Sequence, residues 1–411
     1  MLFLPHLHLL RFIAAVAEAG SSQQAAAQLH VAQSSVARAV ARLEQVLTVA
    51  LFERAARGML PTPQGRQLAV RAARALQQFA AADQHRNRRT QPEAWHTSPL
   101  ARGIGLRHIQ ALQALAHGGS ESAAAAALGI SQSAVHQSLA QLEHMAGAAL
   151  FIRSRNGLKL DDSGEAVLQA ARLALAELRQ ADDEWHTAQG PLQGRLVVGT
   201  LPFSTAMLLP PAVEQVLARE PGVQLTIIDG TFDALVQQLR RAEVDFIIGA
   251  LRDQPPADDV AQEVLFDDEL AVVVRGGHPL ALKRRLAWSH LRNAPWVLPM
   301  PNTPAEAALR HILQAAKLPF PAEQLRANSA LMMQAMLANS DRLALMAPRQ
   351  VAREIKAGLL AQLRLPTAYT ERRIGLMRRR NYLPTPAASA LLEAFDDISR
   401  ILQGPHSKPI Q

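Results

Sequence analysis

Apolar residues in the first part of the chain recur at intervals of three and four positions, which is the spacing of amphipathic helices. The first such stretch contains Leu7, Leu10, Ile13 and Val16. Gly20 follows it, and glycine is the residue that most often ends a helix. The pattern therefore predicts a first helix that buries one apolar face and stops at this glycine.

Two further helices and a pair of strands follow within the next forty residues. A short Ala-rich helix over about 23–29 is joined by a tight turn to a longer helix over about 33–47. Residues 51–62 then alternate between apolar and polar around Gly58, as a two-stranded wing would. The pattern predicts a winged helix-turn-helix. A plain three-helix bundle is the alternative, and the tight turn before the third helix disfavours it.

The chain repeats itself at a distance of 99 residues. Residues 7–76 and 106–175 align without a gap and share 24 identities. Alanine richness raises that number, but it does not explain the shared glycines at Gly58 and Gly65 or the Leu-Phe-x-Arg motif at 51–54. We therefore expect two copies of the winged fold, called module 1 and module 2 below.

Each module is followed by a long helix with a narrow apolar seam. The seam residues alternate between spacings of four and three, as in coiled coils, and many of them are small. They are Leu68, Ala72, Ala75, Phe79 and Ala82 in the first helix, and Val167, Ala171, Ala174, Leu178, Ala181 and Trp185 in the second. The seams predict association, either with each other or between chains; packing of each helix on its own domain is the alternative.

The C-terminal half has a different pattern, in which short apolar strands alternate with helices. Strands are expected at 195–200, 223–229 and 244–249, with helices over about 205–219 and 232–241. Such alternation predicts a parallel, doubly wound sheet. Sheets of this kind bind ligands at the carboxyl ends of their strands.

Charge is distributed unevenly along the chain, whose net charge is +8. Residues 1–103 carry 12 Lys and Arg against 5 Asp and Glu; residues 104–193 carry 6 against 9, and residues 194–411 carry 25 against 21. The basic first segment indicates a polyanionic partner such as double-stranded DNA.

Several classes of protein are disfavoured. There is no cysteine, which excludes disulfides, Cys-ligated zinc and a Cys nucleophile. The metalloprotease, phosphate-loop and nucleophile-elbow motifs are absent, so no enzyme, cofactor or metal is expected. The N-terminus lacks the features of a signal peptide, and no stretch reaches the ~20 apolar residues of a membrane helix. We expect a cytoplasmic protein without a membrane partner, and not a transport binding protein.

The run from Ala25 to Glu44, followed by Leu-Phe-Glu-Arg at 51–54 and Thr-Pro-Gln-Gly at 62–65, closely resembles the winged helix-turn-helix of the LysR family of transcription regulators. The resemblance implies that the third helix enters the major groove, that the wing lies along the backbone or minor groove, and that linker helices join chains into homodimers or homotetramers. Module 1 departs from the pattern at Ala32 and Thr48, where the family favours Ser or Thr and Gly.

The candidate DNA contacts are polar residues of the third helix and wing of each module. They are Gln33, Ser34, Ser35, Arg38, Arg42, Arg54 and Arg57 in module 1, and Gln132, Ser133, His136, Arg153 and Arg155 in module 2. Because Arg38 and Arg42 become Gln137 and Gln141 in the second copy, our hypothesis is that module 1 is the main DNA reader. Module 2 then makes a weaker contact or serves assembly; the alternative is that both bind DNA.

The C-terminal half resembles the LysR effector-binding domain, which is similar in fold to type 2 periplasmic binding proteins. The resemblance runs through 249–252, 270–274, 277–280 and 343–348. The fold class is therefore mixed, with two all-α winged modules and their linker helices before an α/β domain of two subdomains. The expected limits are 1–90 for module 1, 91–103 for a linker, 104–190 for module 2, and 194–411 for the effector domain (subdomain I, 194–268 and 374–411; subdomain II, 269–373).

The resemblance implies an effector cleft between the two subdomains. Matching the pocket loops gives seven candidates, which are Thr200, Ser204, Thr205, Arg252, Asn302, Thr303 and Ser329. Hydroxyl groups at helix starts are often only caps, and Arg252 either pairs with an anionic effector or lies on the surface. Residues 199–204 and 248–252 look most like the galactose-binding-protein regulator group, so the small-molecule effector is left open as anionic or sugar-related.

Overall fold

The computed structural model describes residues 1–55, 58–87, 94–154, 157–202, 206–365 and 371–403. The chain packs as two compact units, Met1–Gly194 and Arg195–Gln411. Within the described ranges, no helix combines the length and the apolar composition that crossing a bilayer requires.

Module 1 folds as three helices, a strand hairpin and a long helix. Its elements are α1 (Leu7–Ala19), α2 (Ser22–Leu29), α3 (Gln33–Leu47), β1 (Phe52–Ala55), β2 (Gly58–Pro61) and α4 (Pro63–Asn87). Gly20 ends α1 in the left-handed region at φ 72°, and the Ser21 Oγ accepts the Gln24 N–H at 3.2 Å to begin α2. The predicted three helices and wing are confirmed.

Module 2 repeats this order after a short connection. A 3-10 turn at Trp95–Thr97 and α5 (Pro99–Gly103) lead into α6 (Leu106–Gly118), α7 (Glu121–Leu128), α8 (Gln132–Ala146), β3 (Phe151–Ser154), β4 (Gly157–Leu160) and α9 (Asp162–Thr187). One pair of shared glycines has a steric cause. A Cβ at Gly65 would lie 1.9 Å from the Leu51 carbonyl oxygen, and one at Gly164 would lie 2.2 Å from that of Leu150.

The two recognition helices begin differently, as the sequence predicts. Ala32 precedes α3 and offers no side-chain acceptor, whereas the Ser131 Oγ accepts the Ala134 N–H at 3.2 Å at the start of α8. The C-terminal ends also differ, because Thr48 adopts φ 54° where Gly147 has φ 66°. A β-branched residue is strained in this left-handed conformation and glycine is not.

This difference gives a paired stability test. Ser131→Ala is expected to lower the free energy of unfolding by about 1 kcal/mol because an N–H in the first turn of α8 loses its acceptor. Ala32→Ser is expected to raise it by up to about the same amount because it supplies the missing cap. Urea denaturation measures both changes, with Ser34→Ala, an exposed serine inside α3, as the control. Equal changes in the free energy of unfolding for Ser131→Ala and Ser34→Ala would contradict the role of Ser131 as the cap of α8.

The two long helices pack against each other within the chain. Every residue of both predicted seams is buried, and the two seams belong to one continuous apolar core. Arg71, near the start of α4, reaches Glu184 near the end of α9, while Arg74, one turn later, reaches Glu177. The helices therefore run antiparallel. Of the two pairings that the sequence leaves open, the structure contains the one inside a single chain.

The second unit contains two sheets covered by helices. Its elements are β5 (Gln193–Thr200), α10 (Leu209–Arg219), β6 (Gly222–Asp229), α11 (Phe232–Arg240), β7 (Phe246–Ala250), β8 (Val260–Glu269), β9 (Ala271–Arg275), α12 (Pro304–Ala315), α13 (Ala330–Ala338), β10 (Ala344–Met346), α14 (Ala352–Lys356), β11 (Leu360–Gln362), β12 (Glu371–Arg379) and α15 (Pro386–Gln403). The predicted alternation of strands and helices through β7 is confirmed.

The predicted parallel pairing holds for β5 and β7, but the sheet as a whole is mixed. The five-stranded sheet has the order β6-β5-β7-β12-β8, in which β5 and β7 are parallel but β12 runs antiparallel to β7 and β8. The chain leaves this sheet after β8, builds the antiparallel sheet β10-β9-β11, and returns through β12. A strand that returns from a second sheet has no crossover helix to fix its direction, so the local pattern does not reveal it.

One predicted helix starts later than the sequence pattern suggests. The expected start was about residue 205, but α10 begins at Leu209. Pro210 and Pro211 explain the difference, because proline lacks an N–H and is accommodated in the first turn of a helix but not in its interior.

Candidate DNA interface and effector cavity

The third helix of module 1 presents a polar face to solvent. Gln33, Ser34, Arg38 and Arg42 are exposed and Ser35 is half-buried. The Gln33 Nε2 donates to the Ser22 Oγ at 3.0 Å, and the Arg38 Nε donates to the Ser34 carbonyl oxygen at 3.2 Å. Among the described residues, neither Arg38 nor Arg42 forms an ion pair with a carboxylate.

The wing of module 1 adds a further cation. Arg54 is exposed on β1, while Arg57 lies outside the described residues. The hairpin pairs Glu53 with Leu60 and Arg54 with Met59.

The third helix of module 2 has the same shape and a different chemistry. Gln132, Ser133 and His136 are exposed on α8. The His136 Nδ1 lies 3.0 Å from a carboxylate oxygen of Glu121 on α7. A carboxylate therefore lies beside the exposed polar face of α8. Arg153 lies in β3 with its side chain outside the described part of the structure, and Arg155 is outside it altogether.

Module 2 lacks an arginine on α8 at the position of Arg42, but it has one on its first helix, α6, at the position of His8. Arg42 of module 1 lies close to His8, whose pKa is lowered by burial and then by this arginine. In module 2 the equivalent pair is Gln141 and Arg107, and the Arg107 Nη2 donates to the Gln141 Oε1 at 2.7 Å. A comparison of the third helices alone misses Arg107, although the 99-residue alignment places it opposite His8.

A basic groove lies between α1 and α6. Its volume is about 520 Å³, and its lining includes Pro5, His8, Arg11, Arg102, Arg107 and His108 but, among the described residues, no Asp or Glu. Burial and the nearby Arg102 lower the pKa of Arg11, and burial lowers the pKa of His108. We refer to this surface as the basic groove; no pattern along the sequence predicts it.

The second unit contains a cavity of about 570 Å³ at the carboxyl ends of β5 and β6. The start of α13 and residues near β10 complete its wall. The lining residues are Leu201, Pro202, Ala206, Asp229, Gly230, Thr231, Asn328, Ser329, Ala330, Leu331, Gln334, Met346 and Gln350. The cavity therefore lies where ligand sites of α/β sheets are expected.

One of the seven predicted effector residues lies in the lining of this cavity, and a second lies directly behind it. Ser329 lines it, and its Oγ also accepts the Met332 N–H at 3.3 Å as the cap of α13. Thr200 is buried behind the lining, and its hydroxyl donates to the carboxylate of Asp229. Ser204 and Thr205 lie outside the described residues.

The other three predicted residues are not in the lining. Thr303 caps α12 by accepting the Glu306 N–H at 3.2 Å, and the exposed Asn302 donates its own N–H to the Glu306 carboxylate at 2.9 Å. Arg252 lies over the ring of Phe232, 4.5 Å from its centroid, and burial lowers its pKa. The cap explanation thus accounts for Thr303.

Five polar lining residues are absent from the predicted effector set: Asp229, Thr231, Asn328, Gln334 and Gln350. Asp229 ends β6, Gln334 lies within α13, and Gln350 follows β10. The Oε1 of Gln350 is buried and accepts no hydrogen bond from the described residues. The end of a predicted strand is a signal that could have identified Asp229; nothing local marks the two glutamines.

Comparison with known proteins agrees with both halves of the structure. Residues 7–66 and 106–165 each match the family described as the bacterial regulatory helix-turn-helix protein, lysR family, and residues 189–398 match the LysR substrate binding domain. The chain is similar to the transcriptional regulator GalR of Pseudomonas putida, with 36% identity over 96% of this chain and 98% of GalR. GalR must therefore carry segments that align with both modules.

Other relatives match a smaller share of this chain. The transcriptional regulator PcaQ of Agrobacterium fabrum is 28% identical over 71% of this chain and 94% of its own length. Among solved structures, a full-length OxyR variant of Pseudomonas aeruginosa has a TM-score of 0.55 and 20% identity, and the match covers 74% of this chain and 99% of OxyR. With two matched helix-turn-helix segments and a matched C-terminal domain, the chain belongs to the LysR family of DNA-binding transcriptional regulators with an effector-binding domain.

Proposed function

We propose that the chain regulates transcription by binding duplex DNA mainly through module 1, while module 2 makes a weaker contact. The observation that carries this proposal is the difference between the two recognition helices. Arg38 and Arg42 are exposed on α3, whereas α8 exposes Gln137 and holds His136 against Glu121.

The difference matters because most affinity for duplex DNA comes from the neutralisation of phosphates, and base-edge contacts add sequence preference. Arg38 can bind guanine in the major groove or a phosphate, and Arg42 and Arg54 can bind phosphates. Gln132 and Ser133 can form hydrogen bonds to bases but add no charge. Module 2 can therefore contact bases, but it adds little to the electrostatic part of the affinity for DNA.

An equal contribution of the two modules is the second candidate. Arg107 favours it, because this residue restores on α6 a charge that α8 lacks. The carboxylate of Glu121 beside His136 counts against it.

Salt-dependent binding distinguishes these two possibilities. With an operator duplex selected from a random library, Arg38→Ala is expected to lower affinity about tenfold and to reduce the slope of log K against log salt by about 0.9. Gln137→Ala, at the equivalent position of α8, is expected to leave the slope unchanged. Arg153→Ala tests the wing of module 2, and it should lower the affinity for the operator by less than Arg38→Ala does. Equal losses in Arg38→Ala and Arg153→Ala would contradict the proposal.

We also propose that a small molecule in the cavity of the second unit modulates this activity. The polar groups in the lining are the Asp229 carboxylate, side-chain amides and hydroxyls, and the described lining includes no Lys, Arg or His. A carboxylate accepts hydrogen bonds from hydroxyl or ammonium groups and repels other carboxylates. This chemistry favours a polyhydroxylated or amine-bearing metabolite over an anionic one.

A further inference from the structure

The two linker helices and the segments ahead of α1 and α6 are related by an approximate twofold arrangement inside one chain. Asp182 of α9 accepts the N–H groups of Leu2 and Phe3, at 3.0 and 3.1 Å, just ahead of α1. Asp83 of α4, 99 residues earlier, accepts the Leu100 N–H at 3.4 Å and a hydrogen bond from the Ser98 hydroxyl, just ahead of α6. Each long helix thus anchors the first helix of the other module.

The axis of this arrangement can be placed from the contacts. Arg71 meets Glu177, Gln180 and Glu184, and Arg74 meets Glu177, which sets the antiparallel register of α4 and α9. Because Arg71 meets Gln180 and Arg74 meets Glu177, this register places Leu76 of α4 opposite Leu175 of α9. These two leucines are also equivalent in the 99-residue alignment; Leu76 is buried in the apolar core, and Leu175 is half-buried against it. The approximate twofold axis passes between these two leucines, because equivalent residues of the two helices lie opposite each other only at the axis.

Arg71 breaks the symmetry and makes the pairing specific for unlike helices. Its side chain is fully buried and binds the carboxylates of Glu177 and Glu184 at 2.8 and 2.5 Å. Burial lowers its pKa, but these two carboxylates more than offset the effect, so the pKa is above its ordinary value. The other copy carries none of these groups: Ala170 replaces Arg71, and Gln78, Ala81 and His85 replace Glu177, Gln180 and Glu184.

Pairing of like helices would therefore be costly. Two α4 helices would place each buried Arg71 opposite Gln78, Ala81 and His85, without a carboxylate. Two α9 helices would bury Glu177 and Glu184 opposite Ala170. Removing a charge from water without a partner of opposite charge is strongly unfavourable. The favoured pair is α4 with α9, and both are present in every chain.

The two recognition helices border the same surface. Arg42, near the end of α3, lies beside His8, and Gln141 of α8 binds Arg107. His8 and Arg107 both line the basic groove between the modules. A duplex that follows this groove can meet both helices, and its phosphates would face Arg11, Arg102 and Arg107.

We propose that a single chain is a complete two-headed DNA reader, in which Arg71 restricts pairing to α4 with α9. Because α3 and α8 differ in sequence, the operator of one chain has two unlike half-sites without dyad symmetry. Any association between chains then leaves the α4–α9 pair intact. This inference rests on the proposed DNA-binding function for its operator, but not for the pairing of the helices.

Cross-linking tests the pairing without DNA, and the chain has no natural cysteine to interfere. In the full chain, Leu76→Cys, Leu175→Cys and the double variant are oxidised or bridged with a short bis-maleimide. The double variant is expected to give an internally cross-linked monomer, and neither single variant a covalent dimer. Covalent dimers from Leu76→Cys alone would overturn the proposal. Failure of the double variant to cross-link, with its thermal transition retained, would do the same.

The role of Arg71 is tested in the same background. Adding Arg71→Met to Leu76→Cys removes the cation that opposes α4–α4 pairing and leaves Glu177 and Glu184 without it. Covalent dimers are therefore expected to appear in this variant and to stay absent when Arg74→Met is added instead. Equal amounts of covalent dimer in the two variants would show that Arg71 does not restrict pairing to α4 with α9.

Selection of DNA by the full chain tests the operator. We expect enrichment of two unlike half-sites at a fixed separation of about one helical turn, ~10 base pairs, with one chain bound per site. A palindromic motif bound by two chains would overturn the inference. Enrichment of no motif would count against the proposed function, while the cross-linking result would still decide how the helices pair.

Discussion

Arg71→Ala is expected to lower the free energy of unfolding of residues 1–194 by about 3–5 kcal/mol, which is the typical cost of removing one partner from a buried ion pair. Its side chain is fully buried between the carboxylates of Glu177 and Glu184, and it also bonds to Gln180 at 2.8 Å. Without the guanidinium, the two buried carboxylates lose the positive charge that lies between them. This loss destabilises the contact between α4 and α9.

Arg74→Ala provides the matched control. Arg74 lies one turn further along α4 and also pairs with Glu177, at 2.7 Å, but 28% of its side chain is exposed to solvent. Water then replaces most of what the ion pair contributes, so the expected loss is below about 1 kcal/mol. Scanning calorimetry can separate the transition of residues 1–194 from that of the second unit. A loss in Arg71→Ala no larger than in Arg74→Ala would contradict this account.

The contrast between these arginines shows what the sequence does and does not predict. The apolar seams of both long helices follow from their spacing, and every seam residue is buried as expected. The partner of each seam does not follow, because two equivalent helices satisfy the same pattern whether they pair within or between chains. In the structure, Arg71 links α4 to α9 through contacts more than 100 residues away along the chain.

The candidate DNA contacts of α3 lie on its exposed face, as their spacing predicts, because their positions depend on local structure. The ends of α3, the missing cap at Ala32 and the exposure of Arg38 and Arg42 all follow from helix periodicity and capping chemistry. The basic groove was missed because α1 and α6 form it together. Helix periodicity marks the buried face of each helix and does not say which other helix lies beside it.

The cavity of the second unit lies at the sheet edge where the sequence predicts a ligand site, but few of the predicted effector residues line it. The carboxyl ends of β5 and β6 follow from the strand pattern, and Ser329 follows from the family resemblance. Asn302 and Arg252 are engaged elsewhere, with Glu306 and Phe232. Gln350 comes from beyond β10, and its position depends on the second sheet, whose antiparallel connections no local pattern fixes.

Asp229→Asn is expected to weaken effector binding about 10- to 100-fold, because a hydrogen bond to a charged group contributes about 1.5–3 kcal/mol. Asp229 is the carboxylate in the described lining, and it accepts the hydroxyl of Thr200. An amide of the same shape keeps the packing and removes the charge that would attract hydroxyl or ammonium groups. The loss should therefore be one of affinity, with little change in the stability of the unliganded chain.

A thermal-shift screen of sugars, polyols, amines and carboxylic acids against the full chain gives the measurement, since a ligand that binds the folded state raises its Tm. Asp233→Asn is the charge-matched control: it removes an exposed carboxylate four residues away that does not line the cavity. Compounds that stabilise the wild type should lose their shift in Asp229→Asn and keep it in Asp233→Asn and Arg252→Ala. If carboxylic acids are the compounds that bind, and Arg252→Ala rather than Asp229→Asn abolishes the shift, then the effector is anionic and its site includes Arg252, which contradicts the proposed effector class.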